Sequence, residues 1–158
     1  DLVVCQFGVM FFPDKVGANR EARRVLRDGG RYVAVIWDRL ERNPVSKAAA
    51  DAVAALFPAD PPRFLERTPF GYADPAVIEH DLLAAGFTDI QFETIVRTSR
   101  VKARDAATGL TLGSPLRAEI EARDPTMLDA AVEAAAAALA PWEGQDGPMS
   151  AHLVTATR

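Results

Sequence analysis

The sequence predicts an α/β fold built on a largely parallel sheet, and three observations carry that expectation. Leu2 to Cys5 form an uninterrupted apolar run closed by Gln6-Phe7-Gly8, the pattern of an interior parallel strand buried on both faces. An amphipathic stretch follows and stops at Gly29-Gly30. A second apolar run, RYVAVIW, comes directly after the glycines. Strand, helix, glycine turn and strand within residues 2–37 make a βαβ unit, whose crossover is right-handed in nearly all folds.

The first helix is expected from about Asp14. Ala18, Ala22, Val25 and Leu26 fall on one stripe, leaving Arg20, Arg23, Arg24 and Arg27 toward solvent. Four dipeptides then mark helix starts: Asn43-Pro44, Asp74-Pro75, Ser114-Pro115 and Asp124-Pro125. Each sets a capping side chain before a proline, whose missing N–H costs nothing in the first turn. The helix at Pro44 should run to about Phe57 with Val45, Ala49, Val53, Leu56 and Phe57 inward, and the one at Pro75 to Ala85, stopped by Gly86. In FTDIQFETIVRTSRV, Ile90, Phe92, Thr94 and Val96 alternate with polar residues, which predicts a half-exposed, antiparallel strand. Residues 103–142 read as two short helices and a longer alanine-rich one, and MSAHLVTAT as a closing strand.

Composition narrows the function. A chain of 158 residues suits one domain. The charge sum of 18 basic and 22 acidic residues, with no long block of either sign, predicts no nucleic-acid partner. A neutral or weakly polar small molecule is the expected ligand. A single cysteine, Cys5, cannot form an internal disulfide, which fits a reducing, cytoplasmic setting. The apolar stretch DAAVEAAAAALAPW falls short of the ~20 residues that a membrane span needs, so no membrane role is expected.

The segment DLVVCQFGVMFFPDKVGANREARRVLRDGGRYVAVIWD resembles the second half of a class I S-adenosylmethionine-dependent methyltransferase, of the kind related to ubiquinone and menaquinone C-methyltransferases. DLLAAGFTDIQFE is similar to that family's last helix and long antiparallel strand. The resemblance implies part of a doubly wound, Rossmann-like sheet, mostly parallel with one reversed strand. Residues 1–102 and 143–158 would form the sheet with its flanking helices, and 103–142 a helical insertion over the active site. It also implies S-adenosyl-L-methionine as cofactor and a small-molecule methyl acceptor. The family's glycine-rich cofactor turn has no counterpart, since no three of the ten glycines have its spacing. The chain therefore reads as a carboxyl-terminal portion, not competent alone. Its Leu2–Cys5 edge would then be open to a second copy, a swapped strand or another polypeptide. A non-catalytic binding or assembly module, or an inactive remnant, is the alternative. Half of a dinucleotide-dependent oxidoreductase is a third reading, disfavoured by the phenylalanine-rich turn.

Open α/β sheets bind ligands beyond the carboxyl ends of their strands. Gln6, Phe7 and Gly8 occupy such an end, and the resemblance makes them cofactor neighbours; Phe7 could equally be core. Met10, Phe11 and Phe12 are candidates for an acceptor pocket or for a hydrophobic staple at the helix start. Trp37 and Asp38 end the second strand, as a pocket wall and a group that orients or deprotonates a hydroxyl, or as core and loop. No catalytic base and no metal ligands are identifiable. Cys5, His80 and His152 lack partners at informative spacing and are expected to be structural or exposed.

Overall fold

Four strands form one sheet in the order β1-β2-β4-β3, with β1 at Leu2–Gln6, β2 at Arg31–Trp37, β3 at Thr88–Arg100 and β4 at Asp146–Thr157. This computed structural model describes residues 1–158. β1 and β2 are parallel, with Leu2 opposite Arg31 and Gln6 opposite Val35. β2 and β4 are antiparallel, with Arg31 opposite Thr157 and Trp37 opposite Ala151. Thr88 meets Thr157, and Thr94 meets His152, so β3 also runs against β4. β1, β2 and β3 thus share one direction. β3 is antiparallel to its one neighbour, as its alternation predicts, and β4 is the strand that runs opposite to the other three.

The chain divides into two units, the first made of Asp1–Arg39, Thr68–Val96 and Ser150–Arg158, the second of Leu40–Arg67 and Arg97–Met149. In the first unit, Tyr32, Ala34, Ile36, Val154 and Ala156 share one face of the sheet. They pack with Leu26, which follows α1 (Lys15–Val25), and with Ile78 and Leu82 of α4 (Pro75–Ala84). Leu2 and Val4, on the opposite face of β1, are each 59% exposed. The expectation of burial on both faces fails here because, within this unit, α1 and α4 cover a single face.

Asp14 caps α1 by accepting from Gly17 N at 2.7 Å, and Gly29 at φ 73 turns the chain into β2. Ala18, Ala22 and Leu26 face inward as expected, but Val25 is exposed and Asn19 is buried in its place. The helix ends at Val25, and Leu26 is already extended, so the last turn of the stripe is not helical. Asp74 caps α4 through Ala76 N at 2.9 Å. On β3, Ile90 and Phe92 face the core cluster while Val96 is exposed.

The second unit is helical: α2 (Pro44–Ala55), α3 (Phe64–Arg67), α5 (Ala103–Thr111), α6 (Leu116–Arg123) and α7 (Leu128–Leu139). All four proline dipeptides stand at helix or turn starts, Asp124-Pro125 opening a 3-10 turn that leads into α7. α2 and α5 both pack on α7, where Ala107, Ala131 and Ala135 are fully buried beside Leu139. Glu119 of α6 ties down the 63–67 segment, accepting from the Arg63 and Phe64 backbone N–H groups at 2.9 and 3.1 Å and from the Arg67 guanidinium. Burial raises its pKa, but these donors and the Arg67 and Arg123 charges outweigh it and hold the carboxyl below its ordinary value. The unit thus joins residues 40–67 to the stretch that contains 103–142.

Candidate functional site

The carboxyl ends of β1 and β2 lie side by side in the first unit, and backbone conformation singles out one residue there. Phe7 N still donates to Val35 O at 2.8 Å, extending the ladder by a residue, yet Phe7 has φ 52. Left-handed backbone is uncommon for an aromatic residue and costs on the order of 1–3 kcal/mol. Such strain persists where surrounding contacts impose it, and it clusters at ligand sites. The imposing contact is the Phe7 ring, stacked on Trp37 with centroids 4.2 Å apart and planes 21° from parallel. Trp37 in turn meets Phe70 at 5.7 Å. Phe7 and Trp37 are half-buried, so this stack at the strand ends keeps ring surface open.

Gly8 follows, and a Cβ there would stand 2.9 Å from Cys5 Sγ, which accounts for glycine at the turn. Gln6 is exposed at the strand end. The next residues form a 3-10 turn, Val9–Phe11, closed by Phe11 N to Gly8 O at 3.0 Å and Phe12 N to Val9 O at 3.1 Å. The Met-Phe-Phe cluster is divided by this turn. Met10 is 3% exposed and belongs to the core cluster with Val9. Phe11 and Phe12 are exposed, at 49% and 37%. Lys15 anchors the turn by donating to Phe12 O at 3.0 Å, with its ammonium 4.9 Å from the centre of the Tyr72 ring.

Asp38 is buried and surrounded by donors. Ser150 Oγ donates to Oδ2 at 2.8 Å and Arg39 N to Oδ1 at 2.7 Å. His152 Nε2 lies 3.4 Å from Oδ1, an electrostatic contact without hydrogen-bond alignment. On its other side, His152 Nδ1 is 3.1 Å from Thr94 Oγ1. Burial raises the Asp38 pKa, but the Ser150 and Arg39 hydrogen bonds and the His152 and Arg39 charges more than offset it, leaving it below the ordinary carboxylate value. A carboxylate so stabilised is a weak base. Asp38 is thus held as an anion at the strand end by its own donors. Burial, together with Asp81 accepting from its hydroxyl at 2.8 Å, raises the Tyr72 pKa, so this phenol stays protonated near neutrality.

Phe7, Gly8, Trp37 and Asp38 therefore come together at adjoining strand ends, whereas Met10 does not join them. Sequence reasoning missed Phe70, and it missed the partners of His152. Asp38, Thr94 and Ser150 lie on three separate strands or strand ends, and no local spacing could announce them. Cys5 is half-buried beside Gly8, and the structure holds no group of His, Cys, Asp or Glu suited to a metal ion. No helix is long and apolar enough to cross a membrane.

No family model matches the sequence. Among solved structures, the chain superimposes on a Bacillus halodurans protein assigned to the methyltransferases, with a TM-score of 0.53 and 15% identity, covering 99% of this chain and 63% of that one. The fold is methyltransferase-like. A Haemonchus contortus phosphoethanolamine N-methyltransferase 2, solved with S-adenosyl-L-methionine, aligns at a TM-score of 0.47 and 15% identity over 99% of this chain and 33% of that one. The chain thus spans under two thirds of the length of these neighbours.

Proposed function

We propose that the chain is the carboxyl-terminal portion of an S-adenosyl-L-methionine-dependent methyltransferase that acts on a small-molecule acceptor. The single observation behind this is the strained, stacked Phe7 at the carboxyl end of β1, in a chain whose fold is methyltransferase-like from end to end. Coverage of 63% of the Bacillus halodurans protein, and glycines without the cofactor-turn spacing, support a portion over a whole. The resemblance of residues 1–38 favours the quinone-type C-methyltransferase branch.

The residues present suit part of such a cofactor. Gln6 offers an exposed amide, Gly8 a backbone without a side chain, and Phe7 and Trp37 ring surface that attracts a cation. When bound, the cofactor supplies a methyl group on a positively charged sulfur. The chain's own residues then have three tasks: to orient the donor through Gln6 and Phe7, to exclude water with Phe7, Trp37 and Phe70, and to fix the end of β2 through Asp38. Phe11 and Phe12, exposed on the same turn, face the acceptor.

The test uses the product of the complete reading frame that holds residues 1–158, titrated calorimetrically with S-adenosyl-L-methionine. Saturable binding is expected, and Phe7→Ala should weaken it by about two- to thirtyfold, the equivalent of about 0.5–2 kcal/mol for a cation against a ring. Absence of binding, or an unchanged affinity in the variant, contradicts the proposal.

A further inference from the structure

We infer that the second unit carries its own binding site for a small, mainly apolar organic anion. Between the start of α2, the stretch from Ser99 to Leu110 and the start of β4 lies a cavity of ≈ 340 Å³, within the size range of small-molecule sites. The inference rests on this unit alone and does not use the methyl-transfer proposal.

The walls decide the chemistry of the occupant. Val45, Val101, Ala106, Leu110 and Met149 line the cavity, so its body suits hydrocarbon or an aromatic ring. Two backbone hydrogen bonds fix Val101, N to Gln145 O and O from Gly144 N, each at 2.9 Å. Gly147 closes the floor, where a Cβ would lie 2.6 Å from Val45 Cγ2 and 2.8 Å from Val101 Cγ2. A side chain there would push both valines, so glycine is what lets backbone and valines meet at this wall.

The rim is charged. Arg100 reaches Asp146 at 3.5 Å, with both side chains well exposed, a pair of small energetic weight. Lys102 also lines the cavity and forms no ion pair. It stands at the N-cap of α5, where the helix dipole already presents positive charge and a cation is unfavourable. Asp105, one turn on, is the single acidic residue of the lining. An apolar body inside with a carboxylate or sulfonate at the rim is the ligand that relieves this local excess of positive charge.

The probe is 8-anilinonaphthalene-1-sulfonate, an apolar ring system with one fixed negative charge. It is compared with its uncharged analogue N-phenyl-1-naphthylamine, by fluorescence titration of the purified protein. Saturable binding with the sulfonate tighter is expected. Lys102→Ala should weaken the sulfonate alone by about two- to fivefold and Asp105→Asn should tighten it by a similar factor, the scale of exposed charge pairs. Ala106→Trp and, separately, Leu110→Trp should displace both probes, with circular dichroism confirming that each variant is folded. If neither folded tryptophan variant affects binding, or if the two probes bind alike and ignore both charge changes, the inference is overturned. Lack of saturable binding overturns it as well.

Discussion

Phe87, Ile36 and Ile78 fill the core of the first unit, while in the second much of the fully buried surface of α5 and α7 is alanine: Ala107, Ala131 and Ala135. The first unit sets a sheet against two helices, and large side chains must span the gap. The second brings helices onto α7 closely enough that a methyl group suffices. Two kinds of core have opposite weaknesses: one fails when a side chain is removed, the other when one is added.

Phe87→Ala should therefore be the most damaging substitution. Phe87 is 1% exposed and stacks on Tyr32 at 5.4 Å, and its truncation should lower unfolding free energy by about 3–5 kcal/mol in a urea titration. Ala135→Leu should cost the second unit about 1–3 kcal/mol by overpacking α7. If enlargement at Ala135 were neutral, the close helix packing would be wrong. Next in size are the caps. Asp74→Ala, which strips α4 of its cap in the first unit, should cost about 1 kcal/mol, with Asp124→Ala comparable at the turn before α7.

The finest distinction is acid sensitivity, for which the depressed carboxylates are Asp38 in the first unit and Glu119 and Asp124 in the second. A folded pKa below the unfolded one means that the unfolded chain binds protons first as pH falls. The stability contributed is fully present above the unfolded values, about 3.9 for Asp and 4.3 for Glu, and is lost as pH drops through the lower folded values. Stability measured from pH 6 downward should decline below about pH 4. Asp38→Asn should flatten the part of that slope due to the first unit, and Glu119→Gln a portion of the part due to the second, the rest falling to Asp124. A slope unchanged in both variants would contradict the assignments.

Much of this was legible in the chain. The βαβ start, the four proline-marked starts and the glycine stops are local signals, and each depends on residues within a turn of one another. Four features were not legible. The exposure of Leu2 and Val4 depends on which faces of the sheet are covered, and an apolar run carries no information on that. Met10 and Phe11 are adjacent in sequence and alike in character, and only the 3-10 turn sends one inward and the other out. The surroundings of His152 are assembled by strand pairing across more than fifty residues. The strain at Phe7 was equally hidden, since no propensity predicts a left-handed phenylalanine.

The two tryptophans, Trp37 in the first unit and Trp142 in the second, allow the central claim to be tested in one spectrum. The measurement is the pair of indole N–H resonances of the ¹⁵N-labelled product of the complete reading frame during titration with S-adenosylhomocysteine, assigned with Trp37→Phe. The account predicts that the Trp37 signal shifts in a saturable manner while that of Trp142 stays in place. A Trp142 shift with Trp37 unmoved, or no shift of either, would contradict a cofactor site at the carboxyl ends of β1 and β2.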